Sequence, residues 1–368
     1  MRSRSSTTPI STFTLTFEDA TFSEAKYAAD VAKQIGSRHH EILLSSDRFA
    51  GEMEAALATL DQPTFDGLNS YFISRAVREA GLTVALVGTG GDELFGGYES
   101  FGAISKLLRL ARLTRFVPRR TKYQLASVIA RLKHRGQGAM PPQTRWAKLP
   151  DFLAAGDDAV DLYQLAYALF RPQFVDELLG EQTVPPPDHF GLALIMQKSL
   201  RDEIAGMSDL AGVSRLEQRL FLGERLLRDT DAASMAVALE TRLPLVDVEV
   251  LRAVNDLPDD VRFMPLRRKQ ALRDAGLTGL TPETFDRPKS GFVMPFESWI
   301  RRELAGSIEA TLNDESLVIA CGLNPKATRK LWQSFASNGP GLYWSRVWAV
   351  YVLLRYAKRH GLTTEQSA

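Results

Sequence analysis

The sequence predicts an α/β fold: a partial parallel sheet with flanking helices, followed by a large, mainly helical portion. Two patterns carry this expectation. The first hundred residues alternate short β-branched or aromatic runs with helix-like periods, the mark of a parallel sheet. From about residue 102 onward the apolar residues recur at three- and four-residue spacings instead. At 368 residues, with 45% apolar and 24% charged side chains, the chain can bury a large core. The boundary is expected near residue 105, giving an α/β portion over 1–105 and a helical portion over 106–368.

Taken in order, Thr12–Phe17 (TFTLTF) is β-branched and aromatic and predicts a strand. Ser23 is expected to cap a helix that Gly36 stops. Glu41–Leu44 reads as a second short strand. A helix follows near Phe49–Leu60 and is broken by Asp61-Gln62-Pro63. Asn69–Ala80 gives another helix ending at Gly81, and Thr83–Gly88 (TVALVG) reads as a buried strand. Phe101–Arg135 then carries a basic run, from Lys106 and Arg109 to Lys133 and Arg135, that no acidic residue interrupts. Leucines spaced between these cations fit amphipathic helices with a basic face, either solvated or a contact for another domain or an anionic partner. Gly136–Pro142 and Val184–Asp188 are read as loops. Ser214 with Glu217 has the form of a capping box opening a helix to about Leu227. Ser345–His360 is apolar nearly all round and ends in Lys358, Arg359, His360 and Gly361. It predicts a buried terminal helix with cations at its negative end, and Trp344 and Trp348 are assigned to its packing.

Composition narrows the partners. A net charge of +1 argues against nucleic acid, and no apolar run reaches membrane-spanning length. The single cysteine, Cys321, rules out an internal disulfide and suits a reducing, cytoplasmic compartment. His39 and His40 have no metal-ligand spacing with other His or Cys and read as strand-edge residues.

The most informative segment is Thr83–Tyr98, TVALVGTGGDELFGGY. A strand runs into a turn of Gly88, Gly90 and Gly91, then into Asp92-Glu93. Glycines let backbone amides approach a ligand closely, and successive exposed amides form an anion-binding concavity. A carboxylate beside such a concavity would repel a bare phosphate, so a divalent metal between them reconciles the two. The expected site is therefore a nucleotide or pyrophosphate–Mg²⁺ site at the carboxyl end of a strand. Asp92 is the candidate metal ligand, or a helix N-cap, or both. GGDEL also resembles the GGDEF signature of diguanylate cyclases, but Leu94–Tyr98 offers no second alternating strand.

The longer string GGDELFGGY resembles the synthetase domain of glutamine-hydrolysing asparagine synthetases. Further blocks follow in that family's order: TFTLTF with Ser23-Glu24-Ala25, His39-His40-Glu41, LRDTDAASMAVALETRLPL over Leu227–Leu245, and DRPKSGF over Asp286–Phe292. The resemblance implies an adenine nucleotide α-hydrolase-like fold. It also implies a ligase that adenylates the aspartate side-chain carboxylate with ATP and Mg²⁺ and transfers ammonia to form asparagine. By the same resemblance Asp92 and Lys289 are the catalytic residues, with Asp92 on the metal. Leu15, Val87, Gly88, Gly90 and Gly91 would lie against the nucleotide. Lys289 would neutralise charge building on the phosphates, its alternative being an ordinary surface lysine. Glu240 and Arg242 are read as a structural ion pair near the site. A glutaminase domain or subunit is a candidate partner.

Three departures from the family pattern qualify the expectation. No Ser-Gly-Gly-x-Asp-Ser motif occurs, although the family's pyrophosphate loop carries it and supplies a second Mg²⁺ ligand. No N-terminal nucleophilic cysteine follows Met1, so glutamine hydrolysis by this chain is not expected. Thr89 stands where many members carry an acidic residue, which opens the acceptor to carboxylates other than aspartate. The sequence alone reads as an incomplete synthetase, through a late start, a split gene or decay. Little synthesis is expected from the chain by itself.

Overall fold

The structure, a computed structural model, describes residues 8–19, 23–133, 144, 147–180, 191–277, 279–281, 286, 294–339 and 341–362, the side chains of 131–133 excepted. The loop readings at Gly136–Pro142 and Val184–Asp188, and Lys289 with its neighbours, lie outside the described residues.

The N-terminal part forms as its pattern requires. Strand β1 (Ser11–Phe17) pairs in parallel with β2 (Arg38–Leu44), in a register that sets Leu15 opposite Ile42. Helix α1 (Ala25–Ile35) crosses between them. The N-cap is Glu24 and not the expected Ser23, although Ser23 Oγ accepts the Ala25 amide at 3.2 Å, and Gly36 ends the helix in the left-handed region at φ 65°. Helix α2 (Ser46–Ala58) is capped by Ser45, and α3 (Leu68–Glu79) stops just short of Gly81. The two histidines are strand residues: His39 Nδ1 is 2.9 Å from Thr12 Oγ1, and His40 stacks on Phe13 with ring centroids 4.8 Å apart.

Strand β3 (Val84–Leu86) pairs in parallel with β4 (Glu240–Arg242), more than a hundred residues later in the chain. Among the described residues these are two separate two-stranded sheets rather than one continuous sheet. The expectation that Thr83–Gly88 is a buried strand is corrected here. Val84 and Leu86 are 38% and 47% exposed; among the described residues β3 pairs with β4 on one side only.

Beyond the turn after β3 the described chain is helical apart from β4: α4 (Gly91–Leu94), α5 (Glu99–Leu113), α6 (Arg119–Lys133), α7 (Leu149–Ala155) and α8 (Ala159–Tyr167), then further helices to the terminal helix Trp344–His360. The basic run lies on α5 and α6. Arg112 reaches Asp209 in a 2.5 Å ion pair and Lys122 is buried, while Arg109, Arg115, Arg119 and Arg120 face solvent. The terminal helix is buried through Trp348 and Tyr351, and Gly361 closes it in the left-handed region. Trp344 stacks on Phe296 at 4.8 Å, so both tryptophans pack.

The capping-box reading of Ser214 and Glu217 is also corrected. The helix starts earlier, at Asp209, and its cap is Ser208, whose hydroxyl accepts the Ala211 amide at 3.1 Å. Ser214 and Glu217 are interior and fully buried, and the helix runs on as a π-helical stretch, Glu217–Leu227. A serine three residues before a glutamate fits a cap, but it fits equally well two buried helical positions that bond to other elements, as Ser214 does to Glu93 and Glu217 to Ser100.

Two large cores position these parts. One joins Leu15, Phe17 and Leu44 of the first sheet to Phe49, Trp299, Trp332 and Trp348, so the N-terminal strands share a core with the C-terminal helices. The other gathers Phe101, Ile104, Val160, Tyr163, Leu216 and Phe263 within the helical part. No helix among the described residues is long and apolar enough to cross a membrane.

Candidate functional site

Backbone pairing carries β3 straight into the turn, since the Val87 amide donates to the Arg242 carbonyl at 2.9 Å. Gly88 is exposed and Gly90 lies at φ 103°, a conformation that L side chains rarely adopt. Gly91 opens α4 beneath Leu272 and Leu245, which a Cβ there would meet at 3.2 and 3.3 Å. The turn is thus built of backbone pressed on an apolar floor.

Asp92 and Glu93, adjacent in sequence, part company in space because successive helical residues diverge by about 100°. Glu93 turns inward and is 1% exposed. Its carboxylate accepts from the Tyr98 hydroxyl at 2.7 Å, while Ser214 Oγ donates to its carbonyl at 2.8 Å. Burial, with Glu93 and Asp92 close by, pushes the Tyr98 phenol well up, so it stays a donor. Arg262 ties the same hub together, donating to the Leu94 carbonyl and to Ser214 Oγ at 2.8 Å each. Burial lowers its guanidinium to about 10.

Asp92 turns outward. Its carbonyl accepts the Gly97 amide at 2.9 Å. A Cβ built on Gly97 would sit 1.8 Å from Asp92 Oδ1 and 2.9 Å from its Cα, so only glycine leaves the carboxylate its place. Lys269 Nζ stands 3.1 Å from Asp92 Oδ1, with both side chains partly open to solvent. Lys269 is held there by a left-handed backbone (φ 51°) and by Arg267, whose amide donates to the Gly96 carbonyl at 3.0 Å. Sequence reading passed over Lys269. The one available signal was the run Arg267-Arg268-Lys269, which carries no motif of its own.

The structure therefore brings Val87, Gly88, Gly90, Gly91 and Asp92 into one turn. It leaves Leu15 at 3% exposure in the core, on β1 of the other sheet. Lys289 is outside the described residues. Glu240 and Arg242 form their ion pair at 2.7 Å on β4, exposed beside β3.

Whether a metal fits can be judged from the donors. Among the described residues no group of three or more His, Cys, Asp or Glu side chains could hold an ion. One outward carboxylate, already facing a cation, does not make a protein cage. It does fit the Mg²⁺ mode in which most ligands are water and phosphate and the protein adds one or two carboxylates.

A second carboxylate lies deeper. Glu217 opens the π-helical stretch, and such irregular turns often mark functional positions. It accepts hydroxyls from Ser100 at 2.5 Å, Tyr167 at 2.7 Å and Tyr163 at 3.0 Å. Burial pushes its carboxyl up to about 7, against the pull of those three donors.

Comparison with known proteins follows the same lines. The asparagine synthase family profile matches residues 1–359. A glutamine-hydrolysing asparagine synthetase of Bacillus subtilis is 26% identical over 298 residues, covering 80% of this chain and 44% of its own length. A Mycobacterium tuberculosis protein assigned to the same synthetase type is 28% identical over 294 residues, 79% of this chain and 42% of its own. The amidase chyE of Penicillium rubens is 22% identical over 375 residues, 95% of this chain and 53% of its own. The chain spans about half the length of these curated relatives.

Proposed function

This chain belongs to the asparagine synthase family, and on that premise we propose that it carries the family's synthetase chemistry: ATP-dependent adenylation of a carboxylate, aspartate first among candidates, followed by amide formation with ammonia. Carboxylate oxygen is a poor leaving group, so activation by attack on the α-phosphorus of ATP, with release of pyrophosphate, is the step the protein must serve. The observation that carries the reading is the outward Asp92 carboxylate, seated against Gly97 at the carboxyl end of β3 and 3.1 Å from Lys269.

In this reading the glycine turn receives the phosphates and Asp92 faces a Mg²⁺ ion, which would screen the charge of the departing pyrophosphate. Asp92 would be the residue that holds the ion, and Lys269, 3.1 Å from it, and Lys289 would be the cations available to the phosphate oxygens. Preorganised charges of this kind work because they need not reorient as the reaction proceeds. Thr89 leaves a hydroxyl where an acid would select an amino group, so acceptors other than aspartate belong in the same assay. Because Ser-Gly-Gly-x-Asp-Ser is absent from the sequence, turnover by this chain alone is expected to be weak.

The test is calorimetric titration of the chain with Mg-ATP, with ATP–pyrophosphate exchange measured across carboxylic acids. Saturable binding that Asp92→Asn weakens is the expected result. Absence of binding at millimolar nucleotide would end the reading.

A further inference from the structure

Residues 101–150 carry twelve Lys and Arg and no Asp or Glu. Helix α5 buries Phe101, Ile104 and Leu108, and its other side leaves Lys106, Arg109, Leu110 and Leu113 exposed at i, i+3, i+4 and i+7. Helix α6 packs on α7 and is turned the opposite way from a core helix. Among its described side chains the buried ones are Lys122 and Ala126, whereas Leu125, Val128 and Ile129 are exposed at i, i+3 and i+4. From Leu110 to Ile129 every Leu, Ile, Val and Phe is exposed, Leu113 and Phe116 by 80% and 83%.

Single exposed leucines are ordinary, but a segment that turns its whole apolar complement to water marks an interaction surface. Cations are interleaved with it. Lys106, Arg109, Arg115, Arg119 and Arg120 are exposed, and none of them makes an ion pair among the described residues. Arg115 instead lies over the Phe116 ring, 4.7 Å from its centroid. Arg112 is the exception, answered by Asp209 with Asp157 nearby. Whatever covers this face must be negative at its surface and apolar beneath. A second copy would bring the same cations and repel, and an acidic chain without apolar side chains would answer the cations alone. A bilayer containing anionic lipid supplies both properties.

We propose that residues 110–129 dock on an anionic lipid surface. The arginines meet headgroup phosphates, and Leu113, Phe116 and the apolar side of α6 enter the acyl boundary. The segment lies on the bilayer and does not span it. Nothing in the nucleotide reading uses these residues, so either reading can fail without the other.

The test is co-sedimentation of the full chain with vesicles of phosphatidylcholine alone or with 30% phosphatidylglycerol. Half-saturation below about a millimolar of the mixed lipid is expected. Binding should be at least about tenfold weaker to phosphatidylcholine alone, in about 0.5 M NaCl, and for Arg115→Glu combined with Arg119→Glu. Phe116→Ser keeps every charge and should still lose roughly tenfold. These side chains are exposed, so circular dichroism and thermal unfolding should match the parent. No binding by about 5 mM lipid, or equal binding to both vesicles, would overturn the proposal. Phe116→Ser binding as the parent does would also overturn it, leaving a charged patch for an acidic protein. A lipid-free dimer in sedimentation velocity that Phe116→Ser dissociates would overturn it in favour of a second copy.

Discussion

Asp92 and Glu217 are both carboxylates tied to the same segment, Gly91–Leu113, Asp92 lying in its first turn and Glu217 accepting from its Ser100, yet the fold treats them in opposite ways. Asp92 stands at a solvent-reached rim, held by backbone geometry and paired with the partly exposed Lys269. Glu217 is sealed inside, held by three hydroxyls that cannot leave without exposing a core. The difference is one of exchangeability. A carboxylate meant to meet a ligand needs a replaceable partner and a path to water. A carboxylate meant to organise helices needs permanent donors and takes a pKa shift in return.

The comparison can be broken most directly at Asp92. Asp92→Asn is expected to raise the barrier to adenylation by about 3 to 4 kcal/mol, as for removal of one preorganised charge, while changing folding stability by less than about 1 kcal/mol. Exchange kinetics and urea unfolding measure the two. A large stability loss with unchanged exchange would make Asp92 the structural residue instead.

Glu217 should behave in reverse. Its folded carboxyl titrates near 7 against an ordinary value of 4.5, so the folded state binds the extra proton between those limits. This group's contribution to stability is therefore complete below about pH 4.5 and is lost as pH rises through about 7, by about 3 kcal/mol in all. Urea unfolding as a function of pH should reveal that slope. Glu217→Gln should flatten it, and an unchanged slope would show that the carboxyl does not titrate there.

Gly97→Ala joins the two cases, since its methyl must displace the Asp92 side chain. A stability loss of about 1 to 3 kcal/mol, with weakened Mg-ATP binding, is expected. The smallest effect tests the corrected helix start: Ser208→Ala should lower stability by about 1 kcal/mol, the value of a lost N-cap, as seen in thermal unfolding.

Much of this arrangement was legible in residue order. Alternation and β-branching located β1, β2 and β3, glycines located helix ends at Gly36 and Gly361, and the apolar run located the terminal helix. The turn Gly88–Asp92 was legible because local backbone demands are written in local sequence. What escaped was whatever depends on a distant neighbour. The exposure of β3 depends on how many strands flank it. The inward turn of Glu93 depends on Tyr98 and Ser214, and the burial of Glu217 on Ser100, Tyr163 and Tyr167. Lys269 escaped for the same reason, its partner being more than a hundred and seventy residues earlier.

The sequence by itself determined the mixed α/β class, the family, and the glycine turn with its acidic residue, because periodicity, turn chemistry and motif are properties of neighbours along the chain. Only the tertiary structure decided which of two adjacent acids faces out and which lysine meets it. Those outcomes are set by long-range packing and desolvation, which act between residues that the chain order keeps far apart.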